Sequence, residues 1–253
     1  MMKNTAPNIE ALIFDVDGTL ADTEETHRLA FNRAFENFEL KWCWSKSDYR
    51  DLLKISGGKE RIKYYSRNQK EGKVLSSTFI NEIHNYKNVI YQSTLAEKKI
   101  DLRLGISNLI TDLHRNKVKV GIATSSSFNN INRLLTTCIG RSWQDAFNEI
   151  ETSDNTPAKK PDPSVYKNII SRLNVNPKYS IAIEDTPNGL QSANCAGLKT
   201  VVTVHEMTRN LDFPNAALVV DSIGTYEQPF KLIKGESFGF NYVSIGLLSK
   251  LIE

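Results

Sequence analysis

The sequence contains no long apolar run, and no stretch approaches the roughly 18 consecutive apolar residues that a membrane-spanning helix needs. Its first ten residues, MMKNTAPNIE, lack the apolar segment of a secretory signal peptide. It shows neither an internal repeat nor a low-complexity segment. We therefore expect a protein that does not associate with a membrane and that is located in the cytoplasm.

Cysteine is scarce and charge is nearly balanced. Cys43, Cys138 and Cys195 lie far apart, without the close spacing of metal ligands, and we expect three free thiols that are buried or half-buried. The 32 Lys and Arg residues against 29 Asp and Glu give a net charge of +3, which is too small to indicate nucleic acid. Aromatic and basic residues are not interleaved either. We expect a monomer that does not bind nucleic acid.

Short apolar runs alternate with amphipathic segments over most of the chain. The runs that predict strands are Ala11–Phe14, Val118–Ala123, Phe147–Ile150, Ser180–Ile183, Thr200–Val204 and Ala217–Val220. Segments such as Ile106–His114 and Val165–Leu173 have helical spacing between these runs. This alternation predicts an α/β fold with a parallel sheet that helices cover on both faces. The C-terminal segment from Tyr242 to Ile252 predicts one more packing helix.

Residues 23–95 interrupt this alternation. The segment has helical apolar spacing and almost no strand-like run, and Trp42 and Trp44 are expected to pack between its helices. We predict an all-helical domain over residues 23–95 that covers the strand ends, and a catalytic core made of residues 1–22 and 96–253. The alternative is that this segment packs continuously onto the core.

The first predicted strand runs directly into two carboxylates, in the stretch FDVDGTL at 14–20. Asp15 and Asp17 are costly to bury unless a cation or hydrogen-bond donors compensate their charge. Gly18 permits a sharp backbone turn just beyond them. Active sites of parallel sheets lie beyond the carboxyl ends of the strands, which is where these residues are expected.

Three other predicted strand ends carry polar groups. Thr124 begins a run of four hydroxyl residues that could hold a phosphate or simply cap a helix. Lys160 precedes a proline and is either aimed into a site or solvated. Glu184 and Asp185 end the strand at 180–183, although Asp185 could instead cap the helix that follows. A shared site explains all of these groups together, and its oxygen ligands favour Mg²⁺, with Asp15 and Asp185 as its carboxylates.

In this order the four elements resemble the four motifs of the haloacid dehalogenase-like (HAD) superfamily, over nearly the whole chain. The resemblance implies a Rossmann-like core, and the helical insertion between the first and second motifs is similar to the family's small C1-type cap. The segments ADTEETH at 21–27 and GGKERI at 57–62 resemble the CbbY branch more narrowly, which is related to β-phosphoglucomutase. The segment from His205 to Ser222 is similar to that branch as well.

The resemblance implies a role for each motif. Asp15 would attack phosphorus and form an aspartyl-phosphate, and Asp17 would act first as general acid and then as general base. Lys160, Thr124 and Ser125 would offset the negative charge of the phosphate.

The metal site also follows from the resemblance. Asp15 and Asp185 would bind Mg²⁺ directly, and Asp17 would bind it through its main-chain carbonyl. Glu184 could bind directly or through water, and water is favoured. Thr19 is expected to brace Asp17 by a hydrogen bond.

The cap would supply the substrate contacts. With Ser125, the candidate substrate-binding residues are Glu24, His27, Tyr49, Gly58, Lys59 and Arg61. His27 follows Glu24 by about one helical turn and could steady the acid Asp17, while Lys59 and Arg61 suit a second, distal phosphate. A solvated helix face and a solvated basic loop are the alternatives.

Taken together, the resemblance implies a Mg²⁺-dependent phosphatase of small sugar phosphates. CbbY proteins dephosphorylate xylulose 1,5-bisphosphate, an inhibitor of the carbon-fixing enzyme Rubisco. A phosphomutase of the β-phosphoglucomutase kind would use the same Asp15 and Asp17. An inactive HAD scaffold that binds other molecules is a further alternative, which the four intact motifs disfavour.

Overall fold

A computed structural model describes residues 9–68, 74–97 and 100–253. The N-terminal residues 1–8, on which the cytoplasmic prediction partly rests, lie outside this range. Among the residues described, no helix has both the length and the apolar character needed to cross a membrane.

One sheet organises the fold. Its strands are β1 (Ala11–Phe14), β2 (Lys119–Ala123), β3 (Glu149–Glu151), β4 (Ser180–Glu184), β5 (Lys199–Thr203), β6 (Leu218–Val220) and β7 (Leu232–Gly235). Their order across the sheet is β3-β2-β1-β4-β5-β6-β7, and the first six are parallel. Strand β7, which none of the predicted runs covers, is antiparallel to β6, so the sheet is parallel except at this edge.

Helices cover both faces of the sheet. They are α5 (Ile106–Arg115), α6 (Phe128–Cys138), α7 (Ser164–Leu173), α8 (Pro187–Cys195) and α9 (Ile245–Ile252). Leu12 and Phe14 of β1 pack in the same apolar cluster as residues of α5, α6 and α9. Ala11 and Ile13, which alternate with them, pack with residues of α7 and α8 on the other face. The prediction of an α/β fold is confirmed. The predicted C-terminal helix is α9, which packs on the same face of the sheet as α5 and α6.

The segment between β1 and α5 is helical. Its helices, which we call the cap helices, are α1 (Glu24–Asn37), α2 (Lys46–Leu52), α3 (Gly58–Asn68) and α4 (Ser77–Glu97). They enclose an apolar cluster of their own, in which the ring of Trp44 lies 4.8 Å from Phe31 and 4.7 Å from Phe35. This confirms the expected packing of the tryptophans between helices.

The boundary near residue 95 falls inside α4, whose C-terminal half joins the cluster of the sheet through Tyr91 and Leu95. The division into a cap domain and a core domain remains a prediction.

All three cysteines are free thiols, but their expected burial is wrong for two of them. Cys43 and Cys195 are exposed, and Cys138 is half-buried. The flanking Trp42 and Trp44 take up the apolar space beside Cys43. Cys195 ends α8 after the positions that face the core.

Candidate active site

The four predicted motifs converge at one edge of the sheet. Phe14 of β1 pairs with Ile122 of β2 on one side and with Ile183 of β4 on the other, so the residues that follow these strands end side by side. They form the floor of a cleft with a volume of about 560 Å³, and residues of the cap helices form its opposite wall. Asp15, Asp17, Thr124, Ser125, Lys160 and Asp185 all line this cleft.

Lys160 is fixed at the centre of the site rather than solvated. Its Nζ lies 2.6 Å from Asp15 Oδ1 and 2.6 Å from Glu184 Oε1, and it donates a third bond of 2.9 Å to the carbonyl of Ala123. Burial disfavours its charge, but the two carboxylates outweigh burial and raise the pKa of Lys160. Lys160 therefore supplies a permanent cation next to Asp15.

Three buried carboxylates form a cluster suited to a metal ion. Oxygen atoms of Asp15, Glu184 and Asp185 all lie within 4.8 Å of one another. Burial raises the pKa of Asp15, against the opposing charge of Lys160, and the charges of Glu184 and Asp185 raise it further. Burial likewise raises the pKa of Glu184. An all-oxygen cluster that carries excess negative charge fits a hard divalent cation such as Mg²⁺.

Asp185 does not cap the helix that follows it. The N-cap of α8 is Thr186, whose Oγ1 accepts the amide of Gly189 at 3.1 Å. Asp185 instead receives a hydrogen bond of 3.3 Å from Thr19 Oγ1 and lies 3.0 Å from His205 Nε2. Thr19 therefore braces Asp185 and not Asp17, which corrects the sequence prediction.

The turn after Asp17 requires glycine. Gly18 has a φ of +83°, and a Cβ atom there would lie 2.3 Å from Asp185 Oδ2. Its carbonyl accepts a hydrogen bond from Arg103, whose guanidinium also bonds the carbonyls of Thr203 and Val204. Arg103 was not predicted, and it ties the Asp17 loop to the end of β5.

Asp17 points away from the carboxylate cluster, into a set of donors. Its oxygens accept from Thr23 Oγ1 at 2.7 Å, from Ser126 Oγ and from Tyr91 at 3.3 Å, and His27 Nε2 lies 2.9 Å away. Burial alone would raise the pKa of Asp17, but His27 and the hydrogen bonds lower it below its usual range. Asp17 is therefore a carboxylate, and its predicted metal contact through the main-chain carbonyl stays a prediction.

The imidazole of His27 is fixed by contacts on the side away from Asp17. Lys87 Nζ lies 2.7 Å from its Nδ1, and the Tyr91 ring stacks on it with centroids 3.9 Å apart. Burial and the nearby Lys87 lower the pKa of His27, so the neutral ring accepts from Lys87 at Nδ1 and donates to Asp17 at Nε2. The sequence prediction that His27 steadies the acid fits this geometry, but Lys87 was missed.

The hydroxyl run serves the cleft rather than the helix behind it. Asp154 Oδ2 accepts the first amide of α6, from Phe128, at 2.8 Å, whereas Ser127 makes no side-chain cap bond. Thr124 Oγ1 accepts the amide of Ser126 at 3.1 Å and is buried at the floor of the cleft. The alternative, in which the side chains of this run cap α6, is therefore wrong.

The candidate substrate residues of the cap divide into two groups. Glu24, His27, Gly58, Lys59 and Arg61 line the cleft. The side chain of Tyr49, by contrast, is fully buried and does not line it. The Tyr49 hydroxyl donates to Glu24 Oε2 at 2.8 Å and accepts from Arg61 at 2.9 Å. The predicted contact between Tyr49 and substrate is corrected to a link between two residues of the cleft.

Residues 12–203 match the family model of the haloacid dehalogenase-like hydrolases. This segment holds every motif at the floor of the cleft. The chain belongs to this family.

Two relatives and one crystal structure show which members of this family the chain is similar to. The CbbY protein of Cereibacter sphaeroides is 39% identical over 214 residues, which cover 85% of this chain and 92% of the relative. A crystal structure of a CbbY mutant from Rhodobacter sphaeroides in complex with xylulose 1,5-bisphosphate superposes with a TM-score of 0.80, at 39% identity, over 85% of this chain and 94% of that one. The β-phosphoglucomutase of Bacillus subtilis is more distant, at 29% identity over 76% of this chain and 82% of the relative.

Proposed function

We propose that this HAD hydrolase is a Mg²⁺-dependent sugar-phosphate phosphatase that works through an aspartyl-phosphate on Asp15, with xylulose 1,5-bisphosphate as its substrate. The observation that carries the proposal is the contact of Asp15 with Lys160 inside a cluster of buried carboxylates. A nucleophilic carboxylate without a nearby cation would repel a phosphate. This site holds the fixed cation of Lys160 beside Asp15 and also the ligands for a metal cation. The cytoplasmic location and the monomeric state remain predictions.

In the first step, a carboxylate oxygen of Asp15 forms a bond to phosphorus while the bond from phosphorus to the sugar oxygen breaks. The departing oxygen takes a proton from Asp17. Asp17 is ionised in the free protein, and an approaching phosphate dianion raises the pKa of a neighbouring carboxyl, so proton uptake accompanies substrate binding.

In the second step, water attacks phosphorus and gives its proton to Asp17, and the bond from phosphorus to Asp15 breaks. His27 holds the Asp17 carboxylate in place through both steps, because it donates from one ring nitrogen and is fixed by Lys87 at the other. Asp15, Asp185 and Glu184 would hold Mg²⁺, which neutralises charge on the transferring phosphoryl group when it is bound.

The far end of the cleft supports a substrate with two phosphates. Gly58, Lys59 and Arg61 line the cap side, and Lys159 faces them from the core. A cleft of about 560 Å³ that is lined by cations of both the core and the cap suits a small molecule that carries two anionic groups. The CbbY structure with xylulose 1,5-bisphosphate supports a pentulose bisphosphate as this molecule.

A panel of sugar mono- and bisphosphates with Mg²⁺ tests the proposal by the release of inorganic phosphate. We expect the highest kcat/KM for xylulose 1,5-bisphosphate. Isomerisation of a hexose 1-phosphate without phosphate release would replace the proposal with the mutase alternative, and no turnover of any sugar phosphate would favour the scaffold alternative.

Asp15→Asn should abolish turnover and leave the fold intact, because it removes the nucleophile at nearly constant volume. Asp145→Asn, at an exposed position that does not line the cleft, is the matched control and should keep full activity. Circular dichroism checks the fold of both variants. Phosphate release by Asp15→Asn at the rate of the unaltered enzyme would refute the assigned nucleophile.

A further inference from the structure

Two turns of the core border the Asp185 carboxylate, and both continue into contacts with the cap helices. Asn188 lies in the first turn of α8, three residues after Asp185. His205, which lies 3.0 Å from Asp185, is followed two residues later by Met207. Neither Asn188 nor Met207 lines the cleft, so neither has a role in the reaction described above.

Asn188 binds the cap loop that leads into α3. Its Nδ2 donates to the carbonyl of Lys54 at 2.8 Å and to Ser56 Oγ at 3.1 Å. From the other side, Arg61 Nε donates to the carbonyl of Ile55 at 2.8 Å. The loop is therefore held between the core and its own helix, and it lines the cleft through Ser56 and Gly58 among others.

Met207 belongs to the core by sequence but to the cap by packing. It is 3% exposed and lies in the apolar cluster of the cap helices, with Leu53 and Phe31 among the other members. Burying such a side chain between the core and the cap helices holds the two together without a directional bond. The neighbouring ion pair of Glu206 with Lys46, at 3.0 Å, is half or more exposed on both sides and contributes little.

We propose that Asn188 and Met207 are positioning residues, which dock the cap loop of residues 53–58 on the two turns that border Asp185. This inference rests on the proposed function. Docking fixes the position of Lys59 and Arg61, on the cap side of the cleft, relative to Asp15 on its floor. A substrate that contacts both the floor and the cap side depends on this position, whereas a small phosphate ester that contacts only the Asp15 region depends on it far less.

The test compares two substrates in the intact enzyme with Mg²⁺. Asn188→Ala should lower kcat/KM for xylulose 1,5-bisphosphate about tenfold more than kcat/KM for p-nitrophenyl phosphate, mainly through KM, because two hydrogen bonds to the cap loop are lost. Met207→Ala should likewise lower the ratio of kcat/KM for xylulose 1,5-bisphosphate to kcat/KM for p-nitrophenyl phosphate. Asn194→Ala, near the other end of α8, is the matched control, because its side chain also makes two hydrogen bonds and neither of them reaches the cap loop. Asn194 Nδ2 donates to the carbonyl of Asn215 at 3.3 Å, and its Oδ1 accepts from Thr200 Oγ1 at 3.0 Å. This control should leave the ratio unchanged.

Hydrogen exchange gives a readout that needs no substrate. The amides of residues 53–58 should exchange faster in Asn188→Ala than in the unaltered enzyme and in Asn194→Ala. Equal losses toward both substrates, or unchanged exchange in this loop, would overturn the docking role. If the unaltered enzyme released phosphate from neither substrate, the proposed function would fail, while the exchange comparison would still decide whether Asn188 docks the loop.

Discussion

Lys87 occupies a position that helix packing would give to an apolar residue. The buried residues of α4 are Ile80, Ile83, Lys87, Tyr91 and Leu95, which form a single stripe along the helix. The Lys87 ammonium lies 4.8 Å from the centre of the Phe31 ring and 5.0 Å from that of Tyr91. A buried lysine is costly, so its retention beside His27 points to a role in orienting the imidazole rather than in stability.

The stability of the protein should therefore depend on pH through Lys87. Burial lowers the pKa of Lys87 to about 7, although the charge of Asp17 opposes this. Between about pH 7 and pH 10 the unfolded chain binds a proton that the folded chain does not, so the free energy of unfolding rises by up to about 1.4 kcal/mol per pH unit. Lys87→Met should remove this slope, as measured by urea unfolding at pH 7, 8 and 9.

Lys63→Met, at an exposed position on α3, is the control for this experiment. It should keep the slope of the unaltered protein, because it removes a lysine from the surface and leaves the buried Lys87 in place. A slope that is the same in Lys87→Met and in the unaltered protein would show that Lys87 keeps an ordinary pKa in the folded state.

The elements differ in how well their sequences predicted them. β1 and β4 are buried on both faces, so continuous apolar runs marked them, and the carboxylates at their ends stood out by contrast. β7 carries Leu232, Ile233, Lys234 and Gly235, all exposed, and its pairing with β6 is irregular at Val219 and Val220. Such a short exposed strand has neither an alternation of apolar and polar residues nor a buried apolar run. Only its pairing with β6 identifies it as a strand.

The start of α3 gives a prediction at the scale of one element. A Cβ atom at Gly58 would lie 2.6 Å from His84 Nε2 and 3.1 Å from the end of the Phe31 ring, in a part of the cleft wall that is already filled. Gly58→Ala should displace His84, lower the free energy of unfolding by about 1–3 kcal/mol and raise KM. Urea unfolding and steady-state kinetics measure the two effects.

The double variant Gly58→Ala/His84→Ala separates this clash from other effects of the new methyl group. Removing the imidazole makes room for the alanine, so the second substitution should recover most of the stability that the first one lost. Strictly additive losses would mean that His84 is not the group in contact with position 58.

For the molecule as a whole, the sequence located the catalytic edge but not the network around it. Asp15, Lys160 and Asp185 were predictable because each breaks a local pattern at the end of a strand. The partners Thr23, Tyr91 and Arg103 were not, because each is an ordinary residue of a helix or loop until the fold brings it beside the Asp17 loop. Tyr91 and Arg103 make their contacts across 74 and 85 residues, and such contacts leave no mark on local sequence. Thr23 is only six residues from Asp17, but a threonine just before a helix is also an ordinary N-cap.

We expect the carboxylate cluster to make the stability of the whole molecule depend on divalent cations. Asp15, Glu184 and Asp185 bring more negative charge together than Lys160 balances, so a cation that binds there stabilises only the folded state. At about 100 times its Kd, Mg²⁺ should contribute about 2.7 kcal/mol. Thermal unfolding should then show a Tm about 5–10 °C higher with Mg²⁺ than with EDTA.

Asp185→Asn distinguishes binding at this cluster from general salt effects. The substitution removes one charge from the cluster, so without metal the variant should melt at the same temperature as the unaltered protein or higher, because like-charge repulsion falls. With Mg²⁺ it should lose most of the increase in Tm. Asp145→Asn removes the same charge from an exposed position and should respond to Mg²⁺ in full. An Asp185→Asn variant with an undiminished response would place the bound cation outside the cluster, and the metal site would have to be sought among other ligands.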